Sequence, residues 1–411
     1  MSKSLKVAIS GGGIGGLTAA LAMLQRGMDV AVFEQAQELK EIGAGVQLGP
    51  NGVRVLQALG LSEQLAKWGV ESTSKEVRIW STGKTIPLLN LGAESVARYG
   101  APYYMMHRAD LHQMLVDAVR ALKPDALHVN AQGVGFREIG DEVELQLNDG
   151  RTHRADVLVG ADGLHSRVRR QLVGEHKPKF TGGMAWRGLI PMERLPEHLR
   201  RPVGTNWIGP HGHTITYPVR GGKLLNFVGH VERDDWQVES WTEAGTLEEC
   251  KADYIGWHPD VQLMVENIEH HFKWALFLHP TMQQWSYGRV TLMGDACHST
   301  LPYLAQGANM AIEDGMVLAR ALEAGAAYPV AALQRYDKAR VERTTRIVDQ
   351  SSANLQRFHN AQLADPVQAD NYTSVEWDPA RIRERYEWLF TYDATSVPVS
   401  PDRPRRLVGT A

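Results

Sequence analysis

The chain has 411 residues, enough for one large core or for two domains. With 43% hydrophobic and 22% charged residues and no low-complexity tract, its composition excludes a disordered chain. Lys plus Arg total 44 against 47 Asp plus Glu, a formal charge of -3 without the basic surplus of a nucleic-acid binder. Two cysteines, Cys250 and Cys297, exclude a disulfide framework and fit a reducing compartment. The most apolar early stretch, Ile14 to Leu24, is too short to span a bilayer and runs straight into Gln25 and Arg26. A strand and a glycine-rich turn precede it, which no signal peptide has, so a cytoplasmic location is expected.

Leu5 to Ser10 reads as a buried parallel strand, glycines 11 to 13, 15 and 16 follow, and Leu17 to Arg26 has helical character. Asp29 to Glu34 is a second apolar strand, closed by an acid, which completes a parallel crossover unit. Glu76 to Leu89 has the alternating texture of an antiparallel sheet. Ala155 to Gly160 and Val290 to Gly294 are two more buried strands, leading into Asp162 and Asp295. From 179 to 279 the chain alternates, as in Thr214 to Tyr217 and Leu224 to Val228, turns at Gly221-Gly222 and carries many tryptophans, which predicts a mostly antiparallel sheet. Gly307 to Leu322 predicts a helix and Val330 to His359 a long amphipathic one. Beyond Asp365, the prolines 398, 401 and 404 suggest irregular packing on the surface.

The expected fold is α/β: a doubly wound, Rossmann-like dinucleotide domain with an inserted, mostly antiparallel substrate-side sheet. The nucleotide domain takes residues 1–72, 101–178 and 280–365, the substrate side 73–100 and 179–279, and a C-terminal tail 366–411.

Gly11, Gly13 and Gly16 satisfy G-x-G-x-x-G, with Ile14 and Gly15 inside the motif. The first glycine permits the tight turn, the second lets backbone approach a pyrophosphate, and the third lets helix and strand pack closely. Glu34 ends the second strand, where it would accept hydrogen bonds from a ribose diol. A purely structural glycine turn with Glu34 on the surface is the bland alternative.

Two further motifs follow strands: Gly160-Ala161-Asp162-Gly163-Leu164-His165-Ser166-Arg167-Val168-Arg169, and Gly294-Asp295-Ala296-Cys297-His298 with Pro302, Gln306-Gly307, Asn309 and Glu313-Asp314 behind it. With the N-terminal glycines, Gly45 to Asn51 and His107 to Leu111, they resemble the signature motifs of the class A flavoprotein aromatic hydroxylases. The resemblance runs from about residue 5 to residue 360 and is strongest to 3-hydroxybenzoate 6-hydroxylases, salicylate hydroxylases and 6-hydroxynicotinate 3-monooxygenases. It implies a p-hydroxybenzoate-hydroxylase-like fold, FAD as cofactor, and NADH or NADPH as co-substrate docking transiently, since no second glycine fingerprint is present. It also implies roles. Asp295 would hold the ribityl hydroxyls, Arg108 would stand near the pyrophosphate, and the helix from Gly307 would aim its amides at the flavin pyrimidine edge. Gln47, Pro302, Gln306, Ala308 and Asn309 would line the flavin, and Asp162 would serve FAD and the nicotinamide cofactor. On the residues alone, Asp162 and Asp295 could equally be turn or helix caps. The sequence departs from the family at Ala305-Gln306-Gly307, where Gly-Gln-Gly is usual, and at Leu301-Pro302-Tyr303, where some relatives carry a polar residue.

Hydroxylation by a flavin hydroperoxide needs an electron-rich ring, and a phenolate is a better nucleophile than a phenol. A base with a pKa near neutrality suits that task. In His211-Gly212-His213-Thr214-Ile215-Thr216-Tyr217-Pro218, the histidine four before Tyr-Pro resembles the family's base. His213 would then deprotonate the substrate with Tyr217 assisting, both on one face of a strand. A satisfied sheet histidine beside a core tyrosine is the bland alternative, and a metal site at His211-x-His213 has no evident third ligand. Gln47, Met184, Trp186 and Trp207 are candidate pocket-lining or core residues. His298 reads as a local hydrogen-bonder and Cys297 as a small packing residue. The expected partners are a small aromatic substrate and dioxygen, with a homodimer open, and neither nucleic acid, membrane nor metal. A flavin-dependent reductase or dehydrogenase of the same fold, and a non-catalytic binding protein, are the rival functions.

Overall fold

Four apolar runs that end in glycine or an acid become neighbours in one sheet. The computed structural model describes residues 4–39, 44–233, 235 and 243–399. Its six-stranded sheet runs Ser286–Tyr287, Val290–Leu292, Val157–Gly160, Lys6–Ser10, Asp29–Phe33 and Leu127–His128. All pairings but the Ser286–Tyr287 hairpin are parallel. Val157–Gly160 and Val290–Leu292 are buried throughout, as strands of a helix-covered parallel sheet are. The crossover helix Ile14–Leu24 packs on helix Gly307–Ala324 so closely that a Cβ on Gly315 would come 2.7 Å from the Ala19 nitrogen.

The second large sheet has eight strands, in the order Glu243–Ala244, Phe272–Leu278, Lys179–Pro191, Leu224–Glu232, Gly212–Val219, Val203–Gly209, Ser74–Ile79 and Thr85–Asn90. It is antiparallel except where Val203–Gly209 meets Ser74–Ile79. The pleat divides its side chains between two faces. His213 pairs with His230, and His230 with Ala185, so these share one face. Met184, Trp186 and Trp207 point the other way, into a core with Cys250, Tyr254 and Met264. Met184, Trp186 and Trp207 are therefore core residues.

Three local expectations are corrected. Helix Ile14–Leu24 begins inside the glycine motif rather than at Leu17. The run Ala155 to Gly160 is two strands: Thr152–Ala155 joins a separate sheet with Glu142–Leu147 and Gly133–Ile139, and Val157–Gly160 joins the large parallel one. The stretch after Asp365 is not irregular but forms helices Pro366–Glu376 and Pro379–Thr391. Asp365 and Asp378 cap them through side-chain bonds to backbone amides, each followed by proline at the first helical position. Pro401 and Pro404 lie outside the described residues.

Helix Pro329–Phe358 ties the halves together. Its Arg340 and Arg343 reach buried Glu313 and Asp314 on helix Gly307–Ala324, with Arg340 Nη1 2.7 Å from Glu313, Arg340 Nε 2.7 Å from Asp314 and Arg343 Nη2 2.8 Å from Glu313. Burial raises the Asp314 pKa, but the charges of His298 and Arg340 outweigh it and hold the group at about 2. Among the described residues no helix is long and apolar enough to cross a membrane.

Candidate active site

The three motifs converge at the carboxyl ends of adjacent parallel strands, where open α/β sheets bind ligands. Gly11 has φ +111°, and a Cβ there would stand 2.2 Å from the Ala161 carbonyl oxygen; one on Gly16 would stand 2.1 Å from the Gly11 oxygen. Those two glycines serve the turn and the strand–helix contact. Gly13 differs: a Cβ there would meet nothing within 4 Å, so its face of the loop is open. Gly15 lies against Ala311 across the helix pair, and Ile14 is buried at the first helical position. Glu34 accepts from Gly12 N at 2.7 Å and Ala36 N at 2.9 Å, which fixes its carboxylate beside the loop.

Both helices that begin here lack a side-chain cap and any acid in the first turn, leaving amide donors and positive dipole ends to an outside acceptor. Gly307 and Ala308 are half-buried at the start of the second. Asp295 is exposed although every neighbour from Val290 to Ser299 is buried. The residues fit FAD: the first helix would take its pyrophosphate, the two acids its hydroxyls, and the second helix a ring that becomes anionic on reduction.

Other expected cofactor residues have internal tasks. Asp162 Oδ2 accepts from Arg167 N at 2.8 Å and Val168 N at 3.2 Å at the start of helix Arg167–Val173, and its Oδ1 accepts at 2.5 Å from the hydroxyl of Ser166, which caps that helix. Asn309 donates to the carbonyls of Gln47 at 3.0 Å and Ala305 at 2.8 Å, and accepts from Gly49 N. Gln306 accepts from Asn51 Nδ2 at 3.0 Å. Pro302 opens a short 3-10 turn, Pro302–Leu304; Ser351 and Asn354 of the long helix hold the carbonyls of Leu301 before it and Tyr303 within it. Ala305 has φ +54° and ψ 40°, the left-handed region. That is why glycine suits this position, and the alanine keeps the same conformation at a cost. Arg108 begins helix Arg108–Leu122 half-buried, and its charge is felt at Tyr217. His112, one turn further on, was not singled out from sequence; its Nε2 lies 2.7 Å from the Gly12 oxygen and steadies the glycine loop.

His213 and Tyr217 do share one face of strand Gly212–Val219, in different surroundings. Tyr217 is buried against Gly45 and hydrogen-bonded to Gln47, whose Oε1 accepts from Tyr103 Oη at 2.9 Å. Tyr103 Oη is 3.4 Å from Lys75 Nζ. Burial lowers the Lys75 pKa to about 8, and Lys75 has no carboxylate partner among the described residues. Lys75 lies deep in the protein, yet part of its surface stays accessible. Sequence offered no sign of it, since one Lys in an alternating strand looks like a solvated one.

His213 is fully buried. Its ring stacks on His230 at 4.4 Å and meets the edge of Tyr303 at 5.0 Å, with Phe358 beside it. Its Nδ1 is 2.6 Å from His359 Nε2, while its Nε2 and both nitrogens of His230 have no partner among the described residues. Burial first, then the charges of His230 and His359, push the His213 pKa well below the usual value; burial, His359 and Arg187 take His230 to about 3. Both imidazoles are therefore neutral at pH 7. The structure thus joins His211 and His213 through Glu232 and His359. His298 bonds Asp314 at 2.6 Å and Cys297 is buried, both local tasks.

A parallel sheet carrying a glycine-rich dinucleotide motif, with a mostly antiparallel sheet beside it, is the architecture of the flavin-dependent aromatic hydroxylases. The chain belongs to the FAD binding domain family, which matches residues 4–351. It is 39% identical over 393 residues to the 3-amino-4-hydroxybenzoate 2-monooxygenase PtnB3 of Streptomyces platensis, covering 95% of this chain and 97% of that one. It is 35% identical to the 6-hydroxynicotinate 3-monooxygenase of Pseudomonas fluorescens, covering 97% and 98%. A solved salicylate hydroxylase substrate complex superposes with a TM-score of 0.78 at 26% identity, covering 96% and 97%. The chain is an FAD-dependent aromatic monooxygenase of the NAD(P)H-using kind.

Proposed function

We propose that the substrate is a small aromatic acid with an ionisable ring hydroxyl, a hydroxybenzoate or a hydroxypyridine carboxylate, and that His213 takes the hydroxyl proton. The observation that carries this is the Nε2 of His213: a neutral, buried imidazole nitrogen with no partner among the described residues, on the face it shares with Tyr217. FAD, when bound at the glycine loop, Glu34, Asp295 and the Gly307 helix, supplies reduction by NAD(P)H and activation of dioxygen. The protein's part is to ionise and orient the ring. His213 removes the proton, which raises electron density at the ring carbons ortho and para to the oxygen. Tyr217, whose pKa burial raises, stays protonated and donates a hydrogen bond. Lys75, a deep cation without a carboxylate partner among the described residues, would bind the substrate carboxylate with Tyr103 and Gln47. The relatives acting on a hydroxybenzoate and a hydroxynicotinate by name support the acid class. The same proposal has the enzyme in the cytoplasm, with Arg108 near the pyrophosphate.

The test is a panel of hydroxybenzoates and hydroxypyridine carboxylates, scored by stimulated NAD(P)H oxidation with identification of the product. Hydroxylated product in proportion to NAD(P)H consumed is expected. NAD(P)H consumption without any hydroxylated product across the panel would instead make the protein a flavin reductase.

A further inference from the structure

His213 is fully buried, so a proton it accepts must still travel to water. The hydrogen bonds outward from it are unbroken. His213 Nδ1 is 2.6 Å from His359 Nε2, and His359 Nδ1 is 2.8 Å from Glu232 Oε1. Glu232 Oε2 is 3.2 Å from His211 Nδ1. Side-chain exposure climbs along this line, from 2% at His359 through 40% at Glu232 to 77% at His211. The line is drawn from three separate pieces of chain: the Gly212–Val219 strand with its preceding turn, the end of strand Leu224–Glu232, and the residue that closes helix Pro329–Phe358. No single element's local geometry produces it.

We propose that His359 and Glu232 are positioning residues that carry the substrate's hydroxyl proton from His213 to solvent, an inference that rests on His213 being the base. The substrate O–H bond breaks as His213 Nε2 gains the proton. The proton on His213 Nδ1 passes to His359 Nε2, and the one on His359 Nδ1 passes to Glu232, whose carboxyl group loses it to water. Each imidazole gives one proton and gains one, so neither holds a lasting positive charge in a buried place. When the product ring regains aromaticity, its oxygen takes a proton back by the reverse transfers, and the tautomers are restored.

The surroundings favour this over a resting charged pair. His213 faces His230, Tyr303 and Phe358, with Arg187 beyond His230; His359 faces Glu232 and His211. Burial lowers the His359 pKa, against the hydrogen bond and charge of Glu232. Glu232 is raised by burial but lowered further by its bonds from His359 and His211, so it is ionised and ready to accept. Burial raises the Tyr303 pKa, which keeps its phenol out of the transfers.

The experiment uses oxidised, FAD-loaded enzyme and a nitrophenol-bearing aromatic acid, whose phenolate absorbs visible light, so no turnover is needed. Two quantities are read: the pH midpoint at which the bound probe ionises, and the rate of proton release to an indicator dye after rapid mixing. His359→Gln and Glu232→Gln should slow release about tenfold and raise the midpoint by about one pH unit. Glu232→Asp should retain most of the wild-type rate, and added imidazole should restore part of it to His359→Ala. Glu232 is half-exposed, so its variants test the relay even where a His359 variant folds poorly. Wild-type midpoint and rate in both Gln variants, with both quantities changed in His213→Gln, would overturn the relay and leave the base assignment intact. Wild-type behaviour in His213→Gln as well would remove the base and the relay together.

Discussion

The two large sheets present their chemistry in opposite ways. The parallel sheet offers backbone: two uncapped helix N-termini, an open loop face at Gly13 and two acids at strand ends. The antiparallel sheet offers side chains gathered from far apart, such as His213, His230, Tyr303 and His359, or Lys75, Tyr103, Gln47 and Tyr217. Backbone recognition constrains which residue can occupy a position, because only glycine tolerates φ +111° at Gly11 with a carbonyl oxygen 2.2 Å from where a Cβ would be. Side-chain recognition imposes no such local rule. The cofactor half of a site can therefore be written in a few short motifs, while the substrate half exists only after folding.

The sharpest way to break this contrast is within the glycine loop. Gly11→Ala should destabilise the protein by about 3 kcal/mol or more and abolish flavin retention, because a Cβ would overlap backbone. Gly13→Ala has φ -75° and open space, so it should alter stability by no more than about 0.5 kcal/mol. It should still weaken FAD binding, which thermal unfolding of apoprotein and flavin titration together would reveal. Equal losses of stability in both variants would mean that Gly13 serves the fold rather than the cofactor.

On the substrate side, Lys75→Met should raise the KM for an aromatic acid roughly ten- to a hundredfold, the worth of a hydrogen bond to a charged group. The KM for the matching phenol lacking the carboxyl group should hardly move. Equal effects on both substrates would remove Lys75 from carboxylate recognition.

A smaller effect follows from the buried imidazoles. His230 has its folded pKa lowered to about 3, and those of His213 and His359 are lowered too. Below the ordinary histidine pKa the unfolded chain binds protons that the folded protein does not, so stability is complete above about pH 6.5 and falls as pH drops toward the folded values. Each group contributes a slope of at most about 1.4 kcal/mol per pH unit. Thermal unfolding between pH 7 and pH 5 should show the decline, and His230→Phe should flatten it.

The smallest change is Ala305→Gly. Relief of a left-handed alanine is worth about 1 kcal/mol, partly cancelled by the added freedom of glycine in the unfolded chain. A slightly higher Tm with FAD binding unchanged is expected.

These contrasts also explain what the sequence disclosed. The parallel strands and the glycine motif were legible because each rests on short-range rules. The split at Asp156 was not, because a single Asp inside a strand-like run does not show that the chain changes sheets there. Helices Pro366–Glu376 and Pro379–Thr391 were legible in principle: Asp365-Pro366 and Asp378-Pro379 are cap-and-start signals, although the prolines further on suggest irregular chain. Trp186 and Trp207 were ambiguous because alternation says that a strand has two faces but not which one meets the cofactor. His359 could not be found by pattern, since only the length of helix Pro329–Phe358 brings it to His213.

The most direct measurement is turnover of the FAD-loaded protein with NAD(P)H, a hydroxylated aromatic acid and oxygen-18 gas, followed by mass spectrometry of the product. One heavy oxygen on a ring carbon ortho or para to the original hydroxyl is predicted, with loss of that product in His213→Gln. Unlabelled substrate recovered while NAD(P)H is consumed and peroxide accumulates, with every acid that binds, would contradict it.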